Sequence, residues 1–311
     1  MTHAEPARGW FPLSPCGSGC IPADPAESAA RLPWRTARLL VVLAAIAVSA
    51  PLLPLVTHRC RSWWWQTAAR AVLTAVGVRI VVTGPRRFAV GGVLVVANHV
   101  SWIEVLALSA VRPLRMVAKG EIRAWPVIGA AAEAFGAVFV DRARLRDLPA
   151  GVARISSALA SGDAVGVFPE GTTWCGAAAG PFRRAAFQAA VDTGSPVRPV
   201  AVTIRTPDGR PSRAASFVGE ETLLACLSRV LRLPGVVCEL TVLPMIHPRG
   251  TRADVARQAA TAIGTVTGVP HGDLVSSPPC ACCVAASGRR PRPRTAPAAC
   301  RWSPVRGGCR R

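Results

Sequence analysis

The apolar run Gly92-Val93-Leu94-Val95-Val96-Ala97 leads directly into the polar stretch Asn98-His99-Val100-Ser101-Trp102-Ile103-Glu104. A short run of aliphatic residues of this kind predicts a strand that is buried on both faces. In α/β folds, the side chains that do chemistry lie just beyond the carboxyl ends of such strands. The stretch therefore predicts an α/β fold and makes His99 a candidate active-site residue.

The same alternation of strand-like and helical segments continues between residues 77 and 270, which predicts one α/β domain there. The sheet is expected to be mostly parallel or mixed, with helices on its faces. The predicted strands are Val78–Thr83, Val93–Ala97, Leu114–Ala118, a short strand within 136–142, Ala164–Phe168, Val197–Ile204 and Val237–Leu243. The predicted helices are Gln66–Val76, Val105–Val111, Leu148–Ala160, Phe182–Val191, Thr222–Leu231 and Ala253–Thr265.

The N-terminal region divides into an irregular arm and a membrane anchor. Residues 1–36 are rich in Pro, Gly and Ala and have no sustained periodicity, which predicts an irregular arm. Residues Leu39–Val56 carry no charge. Their length of 18 residues is near the lower limit for a bilayer-spanning helix. Prolines near the end of this run leave a short span, a kinked span and a re-entrant hairpin open. Residues 37–76 are therefore predicted to form a membrane anchor followed by a helical segment.

The charge of the chain is +20, but it is unevenly placed. Lys119 is the only lysine, and residues 276–311 contain eight arginines and no acid. The region 271–311 is predicted to be a disordered Arg/Pro/Cys-rich tail. The moderate positive excess that remains suits an anionic lipid surface or a phosphorylated substrate, and no nucleic acid is expected as a partner.

The eleven cysteines have no repeating spacing and their number is odd, so small buried thiols in a reduced environment are expected. A zinc site built from Cys280, Cys282 and Cys283 is disfavoured because paired Cys-x2-Cys knuckles are missing. No metal ligand is predicted. The other histidines, which lack ligand spacing and lie apart from the polar clusters, are interpreted as incidental: His3, His58, His247 and His271.

Three polar clusters follow predicted strands: His99 with Glu104, Asp141 with Arg142, and Glu170-Gly171-Thr172. Each alone has an ordinary explanation, namely a core histidine, a surface ion pair and a glycine turn. Because the carboxyl ends of parallel strands meet at one edge of a sheet, the three clusters are expected together.

Residues 98–104 resemble the His-x4-Asp box of the glycerolipid acyltransferases, a family that includes the 1-acylglycerol-3-phosphate (lysophosphatidic acid) acyltransferases. Residues 136–142 resemble the second box of that family, 168–172 its third and 196–202 its fourth. The resemblance covers about residues 37–265. It implies a membrane-associated O-acyltransferase.

Acyl transfer from a thioester to an alcohol requires a base, and histidine suits this role. His99 is the predicted base. Glu104 is predicted to bind the far ring nitrogen, as the aspartate does in a serine-protease triad. The family has aspartate at this position. The resemblance implies that Arg142 and the Glu170-Gly171-Thr172 turn hold the acceptor phosphate, and Arg183 and Arg184 are further candidates on the predicted helix.

The resemblance implies acyl-CoA or acyl-ACP (acyl carrier protein) as co-substrate, with no cofactor, and lysophosphatidic acid as acceptor. Another lysophospholipid or a lyso-ornithine lipid would fit the same boxes. One rival hypothesis is a membrane-bound serine hydrolase that uses Ser101, or another serine, together with His99. A second is a non-catalytic membrane protein in which Glu104 in place of aspartate marks decay. The soluble donor predicts the inner (plasma) membrane as location, with the catalytic domain facing the cytoplasm.

Overall fold

The computed structural model describes residues 12–22, 27–85, 91–125, 128–141 and 145–272. Strands and helices alternate along these residues. The strands are β1 (Val78–Thr83), β2 (Val93–Ala97), β3 (Arg115–Lys119), β4 (Val138–Val140), β5 (Ala164–Val167), β6 (Val197–Arg205) and β7 (Val236–Val242). The helices are α1 (Arg31–Ser49), α2 (His58–Ala75), α3 (Ile103–Val111), α4 (Ile128–Ala134), α5 (Leu148–Ala160), α6 (Ala185–Thr193), α7 (Leu223–Arg232) and α8 (Arg252–Thr267).

The strands form one sheet in the order β1-β7-β6-β2-β5-β3-β4. Neighbouring strands are parallel except β6 and β7, which are antiparallel, so the predicted mixed α/β sheet is confirmed. β2 lies at the centre of the sheet and all five of its residues are buried. Burial on both faces explains why its sequence is apolar throughout and does not alternate.

Helices cover both faces of the sheet. On one face, buried side chains of α2, α3 and α7 pack in one hydrophobic cluster with β1, β2, β6 and β7. On the other face, α5, α6 and α8 pack in a second cluster. The sheet edge beyond the carboxyl ends of β2 and β5 therefore lies between two packed layers, which hold its polar turns in place.

The N-terminal helices form an antiparallel pair attached to this body. The helical run Arg31–Leu55 includes a 3-10 segment at Ala50–Leu55, and it is long and apolar enough to be a possible membrane anchor. It begins at Arg31, inside the stretch predicted as an irregular arm. The guanidinium of Arg35 donates to the carbonyls of Leu233 at 2.7 Å and Pro234 at 3.1 Å, just beyond α7.

Other local predictions also differ from the structure. The helix predicted at Gln66–Val76 begins eight residues earlier, at His58. Arg183 and Arg184 precede α6 and do not lie on a helix, because the amide of Arg183 bonds instead to the carbonyl of Pro169 at 2.8 Å. Residues 12–22 of the predicted irregular arm include Cys16 and Cys20, which are buried in a small cluster with Trp174. Most of the predicted tail, residues 273–311, lies outside the described residues.

Candidate active site

The turns after β2 and β5 lie side by side because these two strands are parallel neighbours in the sheet. They carry His99 and Glu170, so the first and third predicted clusters meet at this edge. Asp141 follows β4, which is separated from β5 by β3. Its predicted partner Arg142 lies outside the described residues.

His99 and Glu104 form a direct pair. Nδ1 of His99 lies 2.8 Å from Oε1 of Glu104, and the carboxylate is completely buried. The same oxygen accepts the backbone amides of Val100 at 2.5 Å and Ser101 at 2.6 Å. Glu104 lies in the first turn of α3, where the helix dipole also favours a negative charge. Three donors therefore converge on one oxygen of this glutamate.

This pairing determines which nitrogen of His99 is available for chemistry. A carboxylate accepts hydrogen bonds only, so Nδ1 carries the proton and Nε2 has the basic lone pair. The ring of Phe168 stacks on the His99 ring, with centroids 4.1 Å apart and an angle of 11° between the planes. The side chain of His99 is 19% exposed. The ring is thus oriented from two sides while part of it remains accessible.

Glu170 contacts the backbone of His99 from the neighbouring turn. The amide of His99 donates to Oε2 of Glu170 at 3.2 Å. Glu170 is only 3% exposed, and this burial raises the pKa of its carboxyl group above the ordinary value, although contacts with His271 and His99 oppose the rise. A buried carboxylate next to the candidate base is thus part of how the two turns are joined.

The interpretation of His271 as incidental was wrong. Its Nδ1 atom lies 2.9 Å from the carbonyl oxygen of Gly180 and 3.2 Å from Oε1 of Glu170. The ring packs against Phe182 with centroids 4.4 Å apart, and its side chain is 1% exposed. No spacing signal could have revealed this, because His271 comes 101 positions after Glu170 and only the fold brings them together.

The rest of the third box forms a tight turn. Gly171 has φ +77°, and its amide donates to the carbonyl of Phe168 at 3.1 Å. Thr172 is partly exposed beside it. Arg183 is tied to this turn through its backbone, and burial lowers the pKa of its guanidinium, whereas Arg184 is exposed.

Two further residues that the sequence did not single out support the site. The buried side chain of Asn98 donates to the carbonyl of Val202 at 3.0 Å and accepts its amide at 2.8 Å, which links the end of β2 to β6. The amide of Trp174 donates to the carbonyl of His99 at 2.8 Å. Asn98 directly precedes His99, and this position in the sequence could have identified it as a residue that supports the site.

Comparison with known proteins shows the family of the chain. The model of the family described as Acyltransferase matches residues 79–203. The lyso-ornithine lipid O-acyltransferase of Pseudomonas aeruginosa is 36% identical over 205 residues, which cover 64% of this chain and 75% of that protein. The chain belongs to the acyltransferase family. The predicted family membership is therefore confirmed.

Another relative of this acyltransferase is similar over a smaller share of its own length. The 1-acyl-sn-glycerol-3-phosphate acyltransferase of Neisseria meningitidis serogroup B is 37% identical over 164 residues, 53% of this chain and 64% of that protein. The crystal structure of the 1-acyl-sn-glycerophosphate (LPA) acyltransferase PlsC from Thermotoga maritima aligns with a TM-score of 0.55 and 17% identity. That alignment covers 75% of this chain and 96% of the other, and it supports the fold.

Proposed function

We propose that this acyltransferase moves a fatty acyl group from an acyl-CoA or acyl-ACP thioester to the sn-2 hydroxyl of 1-acylglycerol-3-phosphate, giving phosphatidic acid. The observation that carries the proposal is the 2.8 Å pair of His99 and Glu104 next to the Phe168–Thr172 turn. The relative named 1-acyl-sn-glycerol-3-phosphate acyltransferase supports this acceptor.

The reaction needs one base and no protein nucleophile. Nε2 of His99 takes the proton of the acceptor hydroxyl as its oxygen attacks the thioester carbonyl carbon. When the tetrahedral intermediate collapses, the C–S bond breaks and the imidazolium returns the proton to the leaving sulfur. The carboxylate of Glu104 stabilises the imidazolium and holds its tautomer.

The acceptor phosphate is proposed to lie against the turn after β5 and the basic residues near it. A bidentate guanidinium, a glycine amide and a hydroxyl are suitable phosphate donors. The residues proposed for this role are Arg142, Gly171, Thr172, Arg183 and Arg184. Glu170 faces the amide of His99, so its proposed role is to position the turn rather than to contact phosphate.

A lyso-ornithine lipid is the second candidate acceptor. The observation that favours it is the Pseudomonas aeruginosa relative of that name, whose alignment extends over three quarters of its length. A serine hydrolase is disfavoured because Ser101 is fully buried and its amide bonds to Glu104. A nucleophilic serine would have to reach the substrate.

A transfer assay over a panel of acceptors tests the proposal. Purified full-length protein is mixed with oleoyl-CoA or oleoyl-ACP and with lysophosphatidic acid, another lysophospholipid or lyso-ornithine lipid, and thiol release is measured. We expect thiol release with lysophosphatidic acid and none without an acceptor. Release only with lyso-ornithine lipid would select the second candidate, and release without acceptor would indicate a hydrolase.

Arginine substitutions test the phosphate role separately. Arg142→Ala is expected to raise the KM for lysophosphatidic acid about tenfold, the usual cost of one charge-assisted hydrogen bond. Arg146→Ala removes an exposed arginine four positions away and is the matched control. An unchanged acceptor KM in Arg142→Ala would remove that residue from the phosphate site.

The N-terminal region is proposed to hold the enzyme at the membrane. We propose residues 37–76 as anchor and helical segment, and residues 77–270 as the catalytic domain, facing the cytoplasm at the inner (plasma) membrane. The outward-facing side chains of the Arg31–Leu55 run and the exposed Trp63 support this proposal. Recovery of the full-length protein in the soluble fraction, without detergent, would contradict it.

A further inference from the structure

Three cysteines from two distant segments meet in one buried cluster. The sulfur atoms of Cys16, Cys20 and Cys175 all lie within 4.8 Å of one another. The three residues are 3%, 1% and 0% exposed, respectively. More than 150 positions separate Cys20 from Cys175 in the chain, so the fold itself creates this cluster.

The local backbone presents these sulfurs as metal-binding segments do. Cys16 and Cys20 have the Cys-x3-Cys spacing found in structural zinc sites, and Cys20 ends a 3-10 turn that begins at Ser18. Cys175 is followed by Gly176 at φ +81°, and the amides of Ala177 and Ala178 donate to its sulfur. Amide bonds to a sulfur favour the thiolate, which is the form that binds metals.

The surroundings of the cluster are apolar, because Trp174 and Val218 pack beside the sulfur atoms. A thiolate buried in an apolar cluster is costly unless a cation compensates its charge.

We propose that Cys16, Cys20 and Cys175 bind one thiophilic divalent cation, with zinc as the first candidate. Three thiolates occupy three of the four positions that zinc prefers, and the fourth remains for a small ligand such as water. Tetrahedral zinc places its sulfur ligands about 3.8 Å apart. Sulfur atoms that all lie within 4.8 Å of one another are compatible with this geometry.

The ion would connect the N-terminal segment to the active-site edge. The residue next to Cys175, Trp174, donates its amide to the carbonyl of His99 at 2.8 Å. The hydroxyl of Ser216 donates to the carbonyl of Cys175 at 3.1 Å. The site therefore has a structural role: it holds residues 12–22 against the loop that supports the base.

Metal content and metal titration of the full chain test this proposal. The background protein carries serine at the five tail cysteines, so that they cannot contribute ligands: Cys280, Cys282, Cys283, Cys300 and Cys309. After purification with reductant and added Zn²⁺, elemental analysis is expected to find about one zinc per chain. Titration with Cd²⁺ is expected to produce a sulfur-to-metal charge-transfer band that saturates at one equivalent.

Cysteine variants provide the matched comparison. Cys16→Ser/Cys20→Ser is expected to lose both the zinc and the charge-transfer band, whereas Cys226→Ala changes a buried thiol outside the cluster and keeps both. Intact mass and circular dichroism check that each variant is folded. Equal zinc content in both variants would overturn the proposal. A background protein two hydrogens lighter than its reduced mass, with a disulfide between two of the three cluster cysteines, would also overturn it. These readouts do not depend on acyltransferase activity.

Discussion

The turn after β2 and the turn after β5 each bury one glutamate beside His99, but the two carboxylates contact different parts of that residue. Glu104 holds the imidazole ring through Nδ1, and it is only five positions away in the chain. Glu170 holds the backbone amide of His99 across two strands, from 71 positions away. The first contact fixes the tautomer and orientation of the ring, and the second holds the backbone of His99.

This difference predicts different kinetic consequences. A group that stabilises the imidazolium acts on the transition state and lowers kcat when removed. A group that positions the backbone acts through geometry, so its loss is smaller and depends on how far the turn can relax. Substitutions at the two turns should therefore separate the chemical role from the positional role.

The largest effect is expected for His99→Ala, which removes the proposed base. We expect acyl transfer to fall about 10³-fold or more, in the range of general-base catalysis. Thiol release from oleoyl-CoA in the presence of lysophosphatidic acid measures it, with His247→Ala, an exposed histidine, as control. Normal transfer by the His99 variant would eliminate the proposed mechanism.

Substitution of Glu104 should separate charge from shape. Glu104→Gln keeps the size of the side chain but cannot stabilise the imidazolium by charge, so kcat is expected to fall about 100-fold. Glu104→Asp introduces the residue that the acyltransferase box normally has, and it is expected to retain transfer. If the two variants lose the same activity, the charge of this carboxylate is not what matters.

Glu170→Gln should have a smaller effect on rate and a distinct effect on stability. Loss of the carboxyl acceptor for the His99 amide is expected to lower kcat/KM about tenfold. Because burial raises the pKa of Glu170, the folded chain holds this proton to higher pH than the unfolded chain. The contribution of Glu170 to stability therefore falls as the pH rises from about 4.5 through the raised pKa.

Thermal unfolding in detergent between about pH 4 and pH 8 measures this dependence. In Glu170→Gln, stability is expected to decline less as the pH rises, because this carboxyl group is no longer present to ionise. Glu220→Gln serves as control, because Glu220 is an exposed glutamate outside the site. An identical pH slope in wild type and Glu170→Gln would contradict the role of burial.

The smallest effect is expected for His271→Phe. Phenylalanine fills the space of the ring against Phe182 but loses the contacts with Glu170 and the Gly180 carbonyl. We expect kcat to fall about two- to tenfold, as for one net hydrogen bond, with KM nearly unchanged. Equal activities of this variant and the wild type would show that Glu170 is positioned without His271.

The sequence predicted correctly those features that depend on residues close together in the chain. β1 and β2 were predicted with their observed bounds because β-branched runs next to glycine are local signals. The pairing of His99 with Glu104 was predicted because both residues lie in one short motif that resembles the His-x4-Asp box, and the structure places them 2.8 Å apart. The helix predicted at Phe182 begins instead at Ala185, because the amide of Arg183 is bonded to the third box.

The sequence by itself determined the α/β alternation, the apolar N-terminal run and the four boxes, all of which depend on neighbouring residues. Only the tertiary structure decided that Glu170 holds the backbone of His99, that His271 contacts Glu170, and that Cys16, Cys20 and Cys175 form one cluster. These contacts join residues 71 to 159 positions apart, and which of them meet depends on strand order rather than on spacing. The role proposed for His99 follows from a motif of neighbouring residues, whereas the contacts that hold His99 in place depend on the fold.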